Sequence, residues 1–252
     1  MFSFPLFKQT VKSNLVIWGA MTLVMAILCI QFAAMEMTQP LLFVIFYGMM
    51  TTILPGIYVL VTANKLLSSQ VDRGSMAYVL STPTRRSTVV FTQLVYLIGS
   101  LVVMFAIQTI GHLIVNNISP ISLSVLDYSS LSGNLTSAMI LDVNLSALMV
   151  CIAMAGVCFL FSGIFSSSKY SIGFSGTFIG VMILANMLAM FGKLGVGGLE
   201  NFKYFTICSF YDYESVLTGL NDWIVKMIYP AVIAVISFAV GSGWFCKKDL
   251  PL

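Results

Sequence analysis

Residues 145–165 read LSALMVCIAMAGVCFLFSGIF, twenty-one consecutive residues without a charged side chain. A helix that crosses the hydrocarbon core of a bilayer needs roughly 20 predominantly apolar residues, so this stretch is long enough to span a membrane. A surface helix of a soluble protein would instead carry polar residues along one face. The stretch therefore predicts a transmembrane helix and an all-α integral membrane fold.

Five further stretches have the same character. They are Leu15–Met35, Leu41–Ala63, Val89–Val115, Ser171–Phe191 and Met227–Cys246. Only 8% of the chain is charged, whereas about 25% of the residues of a soluble domain are. We therefore predict six transmembrane helices within a single transmembrane domain, residues 1–252, with no soluble domain.

The positions of lysine and arginine predict the orientation. If the N-terminus is inside the cell, nine of the twelve basic residues lie in inside segments, namely Lys8, Lys12, Lys65, Arg73, Arg85, Arg86, Lys169, Lys247 and Lys248. The outside segments then hold Lys193, Lys203 and Lys226. Because basic residues concentrate in cytoplasmic loops, both termini are predicted to be cytoplasmic.

The first residues, 1–13, predict a separate interfacial helix. Pro5 suits the first turn of a helix, and Lys8 and Lys12 lie one turn apart on it. Apolar side chains such as Phe7 share one side, as in helices that lie under the cytoplasmic headgroups. A disordered tail is the alternative.

Sequence motifs for catalysis or energy coupling are missing. The chain has no phosphate-binding Gly-x-x-x-x-Gly-Lys-Ser/Thr loop, and its five cysteines have no metal-ligand or redox spacing. We expect no metal and no cofactor on this chain. Its net charge of +3 is distributed as membrane topology demands and gives no indication of nucleic-acid binding. Energy for transport would have to come from another chain.

Two rival functions depend on single residues. The sequence at 173–176, Gly-Phe-Ser-Gly, matches the Gly-x-Ser-Gly that presents the nucleophile in rhomboid intramembrane proteases, with His112 as the base of Ser175. In rhomboids, however, the histidine follows the serine, whereas His112 precedes it. An ion-coupled secondary transporter would use Asp142 or His112 as its ionisable group.

The segment 64–88, NKLLSSQVDRGSMAYVLSTPTRRST, is the one sizeable basic loop of the chain. Gly74 is expected to break the preceding helix, Ser75 to N-cap a new one, and Pro83 to discourage its continuation. The new helix would have an apolar stripe of Met76, Val79 and Leu80 and would be followed by Arg85 and Arg86. This pattern predicts a short helix in the plane of the cytoplasmic membrane surface; a solvated basic loop that only fixes topology is the alternative.

The sequence from Asp72 to Arg86 resembles the cytoplasmic signature of the ABC-2 family of ABC-transporter permeases. That family has an acidic, Gly-Thr, leucine-rich, Ser-Thr-Pro, Arg sequence between its second and third spans, and this chain departs from it with Gln70 for an acidic residue and Gln93 near a frequent lysine. The resemblance implies a coupling helix that docks into a groove of the ATPase subunit. The implied coupling residues are Asp72, Arg73, Gly74, Ser75, Met76, Val79, Leu80, Pro83, Arg85 and Arg86.

The segment 192–226 is glycine-rich, then strongly aromatic, and lies outside in the predicted topology. Tyr204–Asp212 followed by Leu217–Gly219 looks like the aromatic-Asp and Leu-x-Gly segment that ABC-2 permeases carry before the last span. We expect re-entrant external helices here, with an interfacial aromatic belt as the alternative. The resemblance implies an external gate of Phe205, Phe210, Tyr211 and Asp212.

The predicted fifth span contains Gly173, Gly176 and Gly180. Small residues one turn apart let two helix backbones approach closely, so these glycines predict a helix-packing surface for a second permease copy.

The resemblance implies the membrane subunit of an ATP-driven exporter in the bacterial plasma membrane. Such a chain is not itself an enzyme: it works as a dimer of permeases, homodimer or with a sister chain, and two separate ATPase subunits bind ATP and Mg. A cavity with few charges favours hydrophobic or amphipathic cargo. The resemblance extends to exporters of toxic or antimicrobial peptides, of the phenol-soluble-modulin or lantibiotic type.

Overall fold

The structure, a computed structural model, describes residues 2–80, 84–123, 133–193 and 197–249, without the side chains of Val79, Leu80 and Lys193. Across these residues the regular structure is helical, apart from one isolated antiparallel bridge between Ser122 and Asn134. Six helices are long and apolar enough to cross a membrane. The prediction of an all-α fold with six helices of membrane-spanning length and apolarity is confirmed.

The α-helices of the described residues follow one another along the chain. They are α1 Phe4–Ala34, α2 Gln39–Leu41, α3 Thr51–Leu66, α4 Ser68–Asp72, α5 Ser75–Leu80, α6 Arg86–Ile118, α7 Ser137–Ile164, α8 Ser168–Lys193, α9 Tyr213–Leu217 and α10 Asp222–Lys247. Leu42–Met50 is a π-helix that joins α2 to α3, and Leu199–Phe205 and Ile207–Phe210 are 3₁₀-helices.

Helix α1 differs from the prediction for residues 1–13. It runs from Phe4 to Ala34 without a break, so the expected interfacial helix is the first part of the first span and not a separate element. No glycine or proline lies between Pro5 and Gly19 to interrupt the backbone hydrogen bonds. With 31 residues, α1 is about 46 Å long at a rise of 1.5 Å per residue. The hydrocarbon core is about 30 Å thick, so the ends of α1 extend beyond it.

Helices α3, α6 and α7 form the centre of the bundle. The most apolar window of α7 is 61% buried and that of α6 is 50% buried, whereas those of α1 and α8 are only 17% buried. Helix α10 packs closely on α7: a Cβ atom added at Gly163 would lie 2.6 Å from the carbonyl oxygen of Gly241. Glycine is therefore required at this crossing.

The second span, from Gln39 to Asp72, is irregular. Pro55 has no N–H to offer the carbonyl of Thr51, and the Cys151 thiol donates to that carbonyl instead, with Sγ 3.6 Å from the oxygen. In the π-helix the Asn186 amide donates to the Gly48 carbonyl at 3.0 Å. Side chains of α7 and α8 thus hydrogen-bond to the irregular backbone, which fixes the shape of this span.

Both described chain ends and the described residues of the segment 64–88 (64–80 and 84–88) lie at one end of the bundle, which we call the basic end. The backbone N–H of Ser3 donates to Thr92 Oγ1 at 3.1 Å, and Arg86 donates to the carbonyl of Lys248 at 2.8 Å. The opposite end carries residues 119–123 and 133–136, which follow α6, and the segment 197–221.

Candidate functional site

The helix that begins the segment 64–88 is interrupted at Gly74. This residue has φ of +69°, the left-handed conformation that glycine adopts at little cost, and it separates α4 from α5. The predicted helix break at Gly74 is therefore confirmed. Ser75 is the first residue of α5 and not its N-cap, because Gly74 occupies the preceding position; its hydroxyl donates to the carbonyl of Gln70 at 3.1 Å.

Side chains of this segment point in two directions. Met76 is fully buried and anchors α5 to the bundle, whereas Asp72 and Arg73 are exposed and Tyr78 is 81% exposed. Val79 and Leu80 belong to α5 but their side chains are not described, and Pro83 lies outside the described residues. The end of α4, the turn and α5 therefore together present a polar and aromatic surface at the basic end.

Hydrogen bonds join the start of the segment to three spans. Lys65 Nζ donates to the carbonyl of Ser13 in α1 at 2.6 Å. The backbone N–H of Ser68 donates to Ser162 Oγ in α7 at 3.1 Å, and Asn64 Nδ2 donates to Ser168 Oγ in α8 at 2.8 Å. Asn64, Ser162 and Ser168 were not among the residues predicted from the sequence. Their only signal there is the pair of serines on either side of the turn that ends the fourth apolar stretch.

The two arginines that follow α5 have different positions. Arg85 is exposed at the N-cap position of α6. Arg86, which the resemblance assigned to ATPase coupling, donates to the chain's own Lys248 carbonyl. Lys248 in turn donates from Nζ to the carbonyl of Ile164 at 2.8 Å, where it satisfies an unpaired carbonyl at the end of α7. Burial lowers the pKa of Lys248.

A cavity of about 300 Å³ opens at the opposite end of the bundle. Its lining includes Asn186 of α8, Lys203, Tyr211, Asp212 and Lys226. Positive and negative side chains therefore share the same cavity.

Asp212 is the best-connected of these residues. It accepts hydrogen bonds from the backbone N–H of Ser215 at 3.1 Å and from the Ser215 hydroxyl at 2.7 Å, and it forms an ion pair with Lys226. Burial alone would raise the pKa of Asp212, but the hydrogen bonds from Lys226 and Ser215 outweigh it, so the pKa lies below its ordinary value of 3.8. Asp212 thereby caps α9 and ties it to α10.

The four predicted gate residues separate into different environments. Tyr211 and Asp212 line the cavity, Phe210 stacks on Tyr229 of α10 with ring centroids 5.1 Å apart, and Phe205 is 70% exposed. The structure therefore brings only two of the four together in a cavity.

The segment between α8 and α10 folds back along α8. Thr206 Oγ1 donates to the carbonyl of Met182 at 2.9 Å, and Met182 lies about three turns before the end of α8. Short helices fold back here, where the sequence predicted re-entrant helices.

The glycines of the fifth span do not form a close contact within this chain. A Cβ atom at Gly173 or Gly180 would meet nothing within 4 Å, and one at Gly176 would come no closer than 3.8 Å to Leu60. The tight crossing lies instead between α7 and α10, at Gly156, Gly163 and Gly241. Packing of Gly173, Gly176 and Gly180 against a second copy stays a prediction.

Three polar residues are buried one turn apart near the end of α6. They are Gln108, His112 and Asn116. Residues four apart are neighbours on a helix surface, so the three share one side of α6. The spacing was present in the sequence, although only His112 was a predicted candidate.

His112 belongs to a hydrogen-bonded network near the opposite end of the bundle. Its Nδ1 lies 2.7 Å from Tyr47 Oη, and Asn144 Nδ2 donates to the same hydroxyl at 3.0 Å. Gln108 Nε2 donates to Asn144 Oδ1 at 2.9 Å. The network joins the second, third and fourth spans through their side chains.

The geometry does not favour either rival function. Ser175 is buried two turns after the start of α8, whereas His112 lies within two turns of the end of α6. The two residues are therefore near opposite ends of the bundle and form no Ser–His pair.

The candidates for an ion-coupled carrier were Asp142 and His112. Asp142 is only half-buried, near the start of α7. Among the described residues no lysine, arginine, aspartate or glutamate is buried, and the buried His112 is hydrogen-bonded within a network of neutral side chains.

No protein-family model matches the chain, and no curated protein matches it. The functional conclusion therefore depends on the six spans and on the geometry at the two ends of the bundle.

Proposed function

We propose that this chain is the permease subunit of an ATP-driven exporter of the ABC-2 type. Six helices long and apolar enough to cross a membrane fit a membrane transporter in general. The observation that carries the more specific proposal is the way the segment 64–88 is attached. It exposes a short helix, α5, beyond the spans and is hydrogen-bonded at its start to α1, α7 and α8.

The attachment suits the transfer of movement from an ATPase. An ATPase domain that pushed on α5 would displace Asn64, Lys65 and Ser68, and through their hydrogen bonds it would move three spans. The fully buried Met76 would make α5 follow the push as part of the bundle. ATP and Mg would bind to the partner chain, and this chain would supply the pathway.

The charge distribution supports the orientation and the class of cargo. The basic end faces the cytosol if lysine and arginine follow the usual cytoplasmic bias. None of the buried residues described is a lysine, arginine, aspartate or glutamate. A pathway between the spans therefore suits apolar or amphipathic molecules, such as toxin or antimicrobial peptides. The open surface around Gly173 and Gly180 on α8 is available to a second permease copy.

The experiment is an ATPase-binding assay with the permease in nanodiscs. The variant combines Asp72→Lys with Tyr78→Ala, two exposed residues at the basic end, and the control is Tyr204→Ala, an exposed tyrosine at the opposite end. We expect the double variant to bind the ATPase at least about tenfold more weakly, because tyrosines at interface centres typically contribute more than 1 kcal/mol. The control should bind as wild type does.

Equal ATPase affinity of wild type and the double variant would contradict the docking role of α5. A loss of affinity in Tyr204→Ala as large as in the double variant would contradict it too. The loss of binding would then not be specific to the basic end of the bundle.

A further inference from the structure

A second cavity lies at the basic end, between the first turns of α1 and the segment 64–88. Its volume is about 750 Å³. The residues that matter for its chemistry are Ser13 and Asn14 of α1 and Lys65, Gln70 and Arg73 of the segment. We call it the inner cavity.

The inner cavity is positively charged. Lys65 and Arg73 both line it, and none of the described residues in its lining is acidic. Lys65 uses one of its three N–H donors on the carbonyl of Ser13, which leaves two for a ligand. Most of the remaining lining consists of hydroxyl and amide side chains. A ligand with an anionic group suits this surface.

Two oxygen atoms in the same cavity have no donor. Asn14 is 2% exposed, and its Nδ2 donates to the Thr10 carbonyl at 2.9 Å, so its orientation is fixed and its Oδ1 is the free atom. Gln70 Oε1 is also buried without a hydrogen-bond partner among the described residues. Buried acceptors are almost always paired in native proteins. The ligand therefore needs hydrogen-bond donors as well as an anion.

The inner cavity is also placed at the level of lipid headgroups. Its wall includes the first turns of α1, which carry Lys8 and Lys12, and lysines near the end of a spanning helix reach the membrane interface. Phospholipid headgroups are the molecules that fill this layer, and basic residues next to a membrane attract the anionic ones.

We propose that the inner cavity binds the headgroup of an anionic phospholipid with free hydroxyls, of the phosphatidylglycerol type. Lys65 and Arg73 hold the phosphate, and the headgroup hydroxyls donate to Asn14 Oδ1 and Gln70 Oε1. The bound lipid links α1 to the segment 64–88. This site does not depend on the exporter function proposed above.

The test is native mass spectrometry of the full chain, released from nanodiscs that contain phosphatidylglycerol and phosphatidylcholine in equal amounts. Wild type should retain one phosphatidylglycerol in preference to phosphatidylcholine. Lys65→Gln and Arg73→Gln should each lower that retention at least about fivefold, since each variant loses a charge-assisted hydrogen bond to the phosphate. The control is Lys12→Gln, which removes the same charge from an exposed position of α1 outside the cavity lining and should change nothing.

The two orphan oxygens give a second readout. With nanodiscs that contain phosphatidylglycerol and phosphatidic acid, wild type should prefer phosphatidylglycerol, because phosphatidic acid lacks the glycerol hydroxyls. In Asn14→Leu the preference between the two lipids should fall while retention of anionic over zwitterionic lipid persists. Because Arg73 is exposed, Arg73→Gln should not disturb folding. A loss of lipid in this variant therefore cannot be attributed to a folding defect.

Several results would overturn the proposal. They are equal retention of phosphatidylglycerol and phosphatidylcholine by wild type, an effect of Lys12→Gln equal to that of Lys65→Gln, or equally tight binding of soluble glycerol phosphate by lipid-free protein. Unchanged lipid retention in Lys65→Gln, together with lost binding of a partner ATPase, would assign the cavity to an acidic side chain of that partner.

Discussion

Asp212 connects two helices at the opposite end, α9 and α10, through its carboxylate. It accepts from Ser215 at the start of α9 and pairs with Lys226 of α10, which outweighs the effect of burial and keeps its pKa below 3.8. A carboxylate whose pKa is lower in the folded than in the unfolded chain stabilises the fold above the unfolded pKa. That contribution is lost as the pH falls through the folded value.

The prediction is that the chain loses thermal stability as the pH falls below about 4, and that Asp212→Asn removes part of this loss. At pH 7 Asp212→Asn should lower the free energy of unfolding by about 1 kcal/mol, because Lys226 is partly exposed and the ion pair is screened. Thermal unfolding in detergent between pH 3 and pH 7 measures both effects. Asp222→Asn, an exposed carboxylate on the same side, is the control; identical curves for the two variants would refute the role of Asp212.

Gly163 gives a second prediction for a single residue. A Cβ atom there would lie 2.6 Å from the Gly241 carbonyl, so Gly163→Ala should push α7 and α10 apart and cost about 1–3 kcal/mol. Gly180→Ala, where a Cβ atom meets nothing within 4 Å, should leave the thermal unfolding temperature unchanged or slightly raised. If Gly180→Ala destabilised the monomer as much as Gly163→Ala, this packing arrangement would be wrong.

Among the elements, α5 was predictable and the π-helix was not. Gly74 and the polar residues around it mark a break in any helix, so local chemistry was enough to predict a short helix after it. The π-helix at Leu42–Met50 has no such local signal. Its Gly48 carbonyl accepts a hydrogen bond from Asn186, which is distant in sequence. Sequence patterns predict breaks that depend on local residues and miss those that depend on distant partners.

Gly74→Ala tests the mechanical role of this element. The substitution puts a side chain at φ of +69°, a backbone cost of about 1 kcal/mol, and should weaken the turn that separates α4 from α5. We expect fewer cargo molecules to be moved per ATP hydrolysed. Gly219→Ala imposes the same backbone cost at φ of +72° at the opposite end and should keep the wild-type ratio. Transport and hydrolysis measured in the same proteoliposomes give this ratio, and a normal ratio for Gly74→Ala would argue against coupling through α5.

For the whole molecule, composition predicted the six spans but not how they pack. The glycines at 173, 176 and 180 and those at 156, 163 and 241 are both small-residue sets on apolar helices, but among the described residues only the second set lies at a close crossing with another helix. The rotation of each helix decides this, and it is set by tertiary contacts. The same reason explains why Asn64, Ser68 and Lys248 escaped prediction as anchors: their partners lie up to about a hundred residues away.

The permease assignment is a statement about assembly, so its most direct test is the composition of the complex. The full chain would be purified in nanodiscs from its native cells, and the proteins bound to it would be identified and counted. The account predicts an ABC-type ATPase in a one-to-one ratio with this chain, and its loss from the Asp72→Lys, Tyr78→Ala variant. Transport by the chain alone, with no ATPase bound, would contradict the account.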